Sequence, residues 1–197
     1  MVKLEVKRLW EFFRLLYPCQ VVFITCYANG RSNVMTSSAL PVSFKPPLLA
    51  VSIAPTRYSY HLIRMGREFV VNIPSASLME KALLCGMTSG RGMDKFKELA
   101  LTPAKARLVA APIIQECIAH LECRLVKEVE AGDHVLFIGE VLTAYAEADL
   151  VSEDDDGILV WNLEKANLLL HVGGRIFTVP GKPVKALTAY SFFTRFN

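Results

Sequence analysis

The sequence predicts a mainly β protein whose short antiparallel strands close into a barrel with few helices between them. Runs of β-branched and aromatic residues recur along the chain, and most end at glycine, proline or asparagine. Regular alternation of strand and helix, which would indicate a parallel sheet, does not occur. The dinucleotide pattern G-x-G-x-x-G and the P-loop pattern G-x-x-x-x-G-K-[ST] are both missing from the sequence. We therefore expect antiparallel hairpins arranged in a barrel.

Six strands and a C-terminal hairpin follow from these runs. Asn29-Gly30 lies between the first two and is a strong hairpin signal. A change of phase in the apolar alternation predicts a β-bulge at Val126-Lys127. In chain order, the predicted strands are residues 19–27, 34–44, 48–53, 67–73, 119–125 and 134–145, with the hairpin over 168–179.

A few helices are expected at the periphery of the barrel. Apolar residues at helical spacing predict an amphipathic helix over 4–16. Ser77 and Glu80 form a capping-box pattern and predict the start of a helix over 78–85. Two shorter helices are expected at 59–65 and 93–100, on either side of that one.

Length and composition favour a single domain over residues 1–197, with its core at about 10–180 and a C-terminal tail over 181–197. Hydrophobic residues make up 52% of the chain, and the mean hydropathy is +0.32. This apolar content exceeds what a monomer of this size needs. We therefore expect that part of it is buried between subunits.

Charge, hydropathy and cysteine usage exclude several classes of protein. No window of about 18 residues lacks both charge and proline, and the N-terminus has no continuous apolar region, so we expect neither a membrane partner nor a secretory signal. The 22 basic residues are scattered among the 19 acidic ones and form no basic cluster, which argues against binding to nucleic acid. Five cysteines without a C-x-x-C pattern indicate buried thiols in a reducing, cytoplasmic compartment and no metal site, although Cys85 has a setting that would also suit a redox thiol.

Two polar clusters suit a planar, anionic ligand. Residues 35–38 place three hydroxyls on one strand, and Arg57 precedes a short helix that begins near Ser59. A guanidinium beside a helix N-terminus is a favourable site for a phosphate group. The loop over 87–92 is rich in glycine and hydroxyls and would suit a ligand cover. From the residues alone, an ordinary hydroxyl-rich strand and turn is equally consistent with the first two features. A solvent-exposed loop between two helices is equally consistent with residues 87–92.

An ordered series of motifs carries a resemblance to a known family. It comprises N-x-M-T-S-S-A, P-P-L-L-A-V-S-I-A-P-T-R-Y-S, S-G-R-x-x-D-K-F, L-T-P, E-C-x-A-H-L-E-C, G-D-H-x-L-F-I-G-E-V and H-V-G-G-R-x-F, spread over residues 33–177. In this order the motifs resemble the flavin reductase-like family, which includes flavoredoxins and NAD(P)H:flavin oxidoreductases.

The resemblance implies a six-stranded antiparallel split β-barrel of the Greek-key, FMN-binding type, which forms a homodimer with FMN near the subunit interface. It implies a ring-binding group, a phosphate-binding pair and a covering loop. Carried over by position, the ring and ribityl contacts are Met35, Thr36, Ser37, Ser38, Ser52 and Ile53, the phosphate contacts are Arg57 and Ser59, and the cover is Thr88, Ser89, Gly90 and Lys95.

The implied function is an NAD(P)H-dependent flavin reductase that passes a hydride from NADH or NADPH to FMN. Because the flavin would carry the chemistry, we expect no catalytic acid or base. His171 would border the nicotinamide, whereas His134, His61 and His120 are interpreted as structural. Two alternatives remain: a flavoredoxin-like electron carrier reduced by a protein partner, and an interaction module with a decayed site. An oxygenase or a redox protein would be the partner, and nothing in the sequence separates NADH from NADPH.

Overall fold

A computed structural model describes residues 3–185 of the chain. Fourteen strands and four α-helices make up the fold, together with two 3₁₀ helices at Leu9–Leu16 and Ala76–Leu78. The strands are β1 Cys19–Gln20, β2 Val22–Ala28, β3 Arg31–Ser37, β4 Ala39–Phe44, β5 Pro47–Ile53, β6 Glu68–Ile73, β7 Pro103–Ala104, β8 Ile113–Ile114, β9 Ala119–Ala131, β10 His134–Ala146, β11 Val151–Glu153, β12 Leu159–Trp161, β13 Leu170–Gly173 and β14 Ile176–Thr178. The α-helices are α1 Tyr58–Gly66, α2 Met79–Met87, α3 Lys95–Glu98 and α4 Leu163–Ala166.

One antiparallel sheet of seven strands forms the body of the protein, in the order β3-β2-β6-β9-β10-β5-β4. The two outermost strands, β3 and β4, are consecutive in the chain and are separated only by Ser38. The two ends of the sheet must therefore lie close together, and the sheet curls into an open barrel. The predicted mainly β, antiparallel architecture is confirmed.

The sheet has seven strands rather than six because the predicted strand over 34–44 is two strands. Up to Ser37 the chain pairs with β2, and from Ala39 it pairs with β5 at the other end of the sheet. Apolar residues continue on both sides of this break, with Val34 and Met35 on β3 and Leu40 and Val42 on β4, although β4 itself buries no side chain. Sequence periodicity therefore carries no sign of the change of partner.

The hairpin and bulge predictions are confirmed by the backbone. Asn29 and Gly30 have φ values of 50° and 75°, as a tight two-residue hairpin turn requires. In the β9–β10 pair, Ile138 lies opposite Lys127 and Gly139 opposite Leu125, so Val126 is the extra residue of a bulge.

The barrel interior is filled by large apolar side chains from facing strands. Phe69, Phe137 and Ile24 are completely buried there and belong to one apolar cluster. A Cβ atom at Gly139 would lie 2.5 Å from Phe69 Cζ. Glycine is therefore required where this ring crosses β10. A second apolar cluster packs α2 against the outside of β2 and β3.

Three helix predictions differ from the structure. The expected helix over 4–16 is a 3₁₀ helix at Leu9–Leu16 with no buried residue. The capping box is wrong, because Ser77 lies inside the preceding 3₁₀ turn and α2 begins at Met79 without a side-chain cap. The helix expected over 93–100 is only Lys95–Glu98, and it is capped by Asp94, which accepts hydrogen bonds from two backbone amides.

The predicted burial of the thiols is confirmed for four of the five free cysteines, and Cys19 is half-buried. Within residues 3–185, no helix is long and apolar enough to cross a membrane. The predicted tail over 181–197 is described only as far as Lys185, and the remainder lies outside the described residues.

Candidate functional site

A cleft of about 430 Å³ lies between β3, β5, the start of α1 and the loop that follows α2. The start of α1 follows β5 directly, whereas β3 and the loop after α2 come from other parts of the chain and join them through the folding of the barrel. The cleft brings together all but one of the site residues expected from the sequence, namely Met35, Thr36, Ser37, Ser52, Ile53, Arg57, Ser59, Thr88, Ser89, Gly90 and Lys95. Ser38 lies in a neighbouring cleft instead.

The hydroxyl groups of the cleft are not equivalent. Thr36 donates its hydroxyl proton to the Ala82 carbonyl at 2.6 Å, which ties β3 to α2. Its oxygen can therefore only accept a hydrogen bond from a ligand. Ser52 is exposed between the buried residues Val51 and Ile53, as strand alternation requires, so its hydroxyl stays available.

One end of the cleft is positively charged. Arg57 precedes α1 with extended backbone, so that the guanidinium and the free amides of the first helical turn belong to the same part of the cleft. Within residues 3–185, Arg57 forms no ion pair. The helix dipole adds partial positive charge at this end, which therefore suits an anion.

Lys95 adds a buried cation to the same end. It is only 3% exposed, and its Nζ donates to the carbonyls of Val34 at 3.0 Å and Cys85 at 2.7 Å. Burial lowers its pKa, and the nearby Arg57 charge lowers the pKa further. No carboxylate in the described part of the chain pairs with this ammonium. An uncompensated buried charge is costly, and a bound anion would offset that cost.

The loop after α2 approaches β3 very closely at Gly90. A Cβ atom there would collide with the side-chain oxygen of Asn33. Asn33 is itself buried and donates through Nδ2 to Ser59 Oγ at 2.8 Å. The pair links the loop to the first turn of α1. Sequence reasoning missed Asn33 as a cleft residue, although it opens the first of the motifs.

His134, which was interpreted from the sequence as structural, is also a cleft residue. It lines the cleft beside Ile53, because the neighbouring Val135 pairs with Ile53 across β5 and β10. Its Nδ1 lies 2.7 Å from Asp133 Oδ1, and this contact holds the pKa of Asp133 below its usual value. The position directly after the predicted turn at Gly132-Asp133 was the signal available in the sequence.

The predicted redox interpretation of Cys85 finds no support in its surroundings. The thiol is buried, and burial raises its pKa to about 11. A thiol that stays protonated is a poor nucleophile. Within the described residues, no group of three or more histidine, cysteine or acidic side chains is arranged to hold a metal ion.

A second cleft of about 360 Å³ adjoins the first and shares Thr36, Ser37 and Gly86 with it. His171 lies in its wall between the rings of Tyr17 and Phe177, at centroid distances of 5.2 and 5.0 Å. Its Nε2 is 3.1 Å from the Gly174 carbonyl and must be the donor, since a carbonyl only accepts.

Comparison with known proteins identifies the family of the chain. A family model described as the flavin reductase like domain matches residues 13–178. The chain belongs to this family. The resemblance found in the sequence motifs is thereby confirmed, and the fold is the split barrel of flavin reductase-like proteins. Membership places the chain among flavoproteins with oxidoreductase relatives.

Three individual proteins illustrate the similarity. An uncharacterized protein of Archaeoglobus fulgidus is 42% identical over 139 residues, which cover 70% of this chain and 76% of the relative. An NADH-dependent FAD reductase of Streptomyces globisporus is 28% identical over 130 residues, covering 65% and 70%. The structure of flavoredoxin from Desulfovibrio vulgaris (Miyazaki F) aligns with a TM-score of 0.78 and 27% identity, covering 89% of this chain and 93% of flavoredoxin.

Proposed function

We propose that this flavin reductase-like protein binds FMN in the larger cleft and receives a hydride there from NADH or NADPH. The observation that carries the proposal is the pair of cations at one end of the cleft, Arg57 and the buried Lys95, neither of which pairs with a carboxylate in the described chain. When bound, the flavin supplies the hydride-accepting ring, and the protein supplies binding and orientation.

The phosphate of FMN fits the charged end. Arg57 can hold it with two hydrogen bonds, and the first amides of α1 favour its charge. Lys95 has three N–H bonds, of which two meet carbonyls. The third remains for a phosphate oxygen. Ser59 accepts from Asn33 and so keeps its own proton for donation.

The remaining cleft residues suit the ribityl chain and the ring. Ser52 offers both a donor and an acceptor to the polar edge of a flavin. The Ser37 hydroxyl donates to the Ser38 carbonyl at 3.3 Å, and Thr36 offers only an acceptor. Met35 and Ile53 supply apolar contact for a planar ring. The loop at Thr88, Ser89 and Gly90 would cover the cofactor.

The nicotinamide fits the adjoining cleft, in contact with the flavin across the shared residues Thr36, Ser37 and Gly86. His171, in the wall of that cleft, would contact the nicotinamide carboxamide through its ring. The name of the Streptomyces relative, an NADH-dependent FAD reductase, supports a nicotinamide donor. In this arrangement the protein needs no acid or base of its own.

A homodimer and a cytoplasmic location complete the proposal. Leu40, Val42 and Phe44 form an exposed apolar row on β4, with exposed fractions of 65%, 47% and 89%. An edge strand with such a row would be prone to aggregation unless a second copy covered it. Since β4 pairs with β5, which carries Ser52 and Ile53, the second copy would lie near the cleft. The free thiols suit the reducing cytoplasm.

A flavoredoxin-like electron carrier is the second candidate. The alignment with Desulfovibrio flavoredoxin favours it, because the two chains match over nearly their whole lengths. In that case a redox protein would reduce the bound flavin, whereas a reductase would pass its electrons onward, for example to an oxygenase.

An anaerobic titration separates these functions. The purified protein is loaded with FMN, and NADH and NADPH are added separately while the visible flavin band is followed. Prompt bleaching supports the reductase, and the faster donor identifies the cosubstrate. A band that persists with both donors supports the carrier. Failure to bind FMN at all would overturn both.

A further inference from the structure

We propose that the C-terminal segment 186–197 of this same chain binds an apolar groove at the open end of the barrel. The groove has a volume of about 490 Å³ and is separate from both clefts described above. Its floor is the barrel interior, with Val22, Leu49 and Val71 from three strands. Its rim is the β11–β12 hairpin, which contributes Leu159 and Trp161.

The rim exposes more apolar surface than a hairpin in solvent should. Leu159 is 70% exposed, Ile158 is 44% exposed and Val160 is 37% exposed. Burial of such side chains against an apolar partner is favourable. The hairpin is also strongly acidic, since its turn carries Glu153 and residues 154–156, all aspartate. A partner should therefore be apolar and should carry positive rather than negative charge.

The described chain ends at this hairpin. After β14 it returns to the β11–β12 turn, where Lys185 Nζ lies 2.6 Å from Asp155 Oδ2. Such an exposed ion pair adds little stability, but it places Lys185 at the hairpin that forms the rim of the groove. At about 3.3 Å per extended residue, the segment 186–197 can span roughly 40 Å. It can therefore reach every part of the groove.

The composition of this segment matches the groove. It contains Leu187, Tyr190, Phe192, Phe193 and Phe196, one cation at Arg195 and no acidic residue. Aromatic side chains are the groups that bury most area in an apolar site. A single positive charge complements the acidic turn. Both the apolar and the charge requirements of the rim are met by the segment that begins next to it.

Trp161 in the groove wall reports on the interaction. The chain has two tryptophans, so Trp10→Phe leaves Trp161 as the only one. Truncation after Lys185 should shift its emission to longer wavelength and increase binding of a dye specific for apolar surface. A synthetic peptide of residues 186–197 should reverse both changes. The same peptide with Phe192 and Phe193 replaced by serine should not.

The affinity of the free peptide shows whether the tethered segment can occupy the groove. A tethered segment experiences an effective concentration of about 1 mM, so a Kd of ~100 µM for the free peptide corresponds to about tenfold more bound than open groove. Leu159→Asp should abolish peptide binding, while Ile176→Asp, an equally exposed change outside the groove, should leave it unaltered. A Kd above ~1 mM, or an unchanged Trp161 spectrum after truncation, would overturn the proposal.

A disulfide cross-link distinguishes the same chain from a second copy. In a Cys19→Ser background, which removes the one cysteine that is not buried, Leu159→Cys is combined with Phe193→Cys. A cross-link within one chain is expected on a non-reducing gel. A cross-link formed only between two chains would overturn the commitment to the same chain. Because the groove is separate from the FMN cleft, these results do not depend on whether the protein binds flavin.

Discussion

Replacing Glu122 with glutamine should destabilise the fold more than any exposed carboxylate change. Glu122 is fully buried and accepts hydrogen bonds from the amides of Arg107 and Leu108 at 2.8 and 2.6 Å and from the Tyr145 hydroxyl at 2.8 Å. A glutamine keeps one acceptor oxygen and turns an NH₂ group toward the remaining donors. The loss of charge and the unpaired donors together should cost about 3–5 kcal/mol.

Glu116 provides the matched control for this experiment. It also accepts from a backbone amide and a hydroxyl, both of Thr102, but in a partly exposed position. Glu116→Gln should therefore cost only about 1 kcal/mol. Both variants are compared with the unaltered protein by urea denaturation at neutral pH. Equal losses of unfolding free energy in the two variants would refute the argument from burial.

The pH dependence gives an independent check. Burial alone would raise the pKa of Glu122, but the bonds from Arg107, Leu108 and Tyr145 outweigh burial and hold the pKa below the ordinary value of 4.5. The folded protein therefore binds fewer protons here than the unfolded chain. The stabilisation is present above pH 4.5 and is lost as the pH falls through the folded pKa. The difference between Glu122→Gln and the unaltered protein should shrink over that range.

Three further predictions concern the cleft, the core and acid stability. Arg57→Ala should weaken FMN binding by about 1–3 kcal/mol in a fluorescence titration and leave riboflavin binding unchanged. Arg64→Ala, in the helix that follows Arg57 but paired with Glu128, should affect neither. Equal effects of Arg57→Ala on both flavins would contradict the phosphate assignment. Gly139→Ala should lower the unfolding free energy by about 1–3 kcal/mol, because its Cβ would overlap the Phe69 ring; a neutral result in urea denaturation would show that the ring can move. Burial lowers the pKa of His120 from 6.5 to about 4, so stability should fall as the pH drops from 6.5 to 4, by up to about 1.4 kcal/mol per unit. His120→Gln should remove that slope, and an unchanged slope would contradict it.

Local patterns in the sequence predicted most of the elements that form the barrel. The hairpin at Asn29-Gly30 and the bulge at Val126 follow from backbone requirements that a few neighbouring residues satisfy by themselves. The capping-box prediction at Ser77 was wrong, because Ser77 lies inside the preceding 3₁₀ helix and cannot cap α2. A local motif is reliable only where no adjacent element competes for the same side chain.

The candidate site was likewise predicted only in part from the sequence. The motif resemblance named most of its candidate residues correctly as lining the cleft, but it missed Asn33 and included Ser38. Arg57 and the hydroxyl strand also suggested an anion and a planar group on physical grounds. No pattern in the sequence indicated that the Thr36 hydroxyl donates to the Ala82 carbonyl. Nor did the close contact between Gly90 and Asn33, since these residues lie on segments that meet only in the folded chain.

By itself the sequence determined the mainly β architecture, the turns and the family of this protein, because these depend on short-range backbone preferences and on motifs that can be read in order. The tertiary structure alone decided that the strand over 34–44 changes partner at Ser38, which curls the sheet and creates the cleft. It also decided that Lys95 is buried against two carbonyls without a carboxylate. Both outcomes arise from long-range packing, and the free energy of a buried charge depends on what surrounds it rather than on its neighbours in sequence.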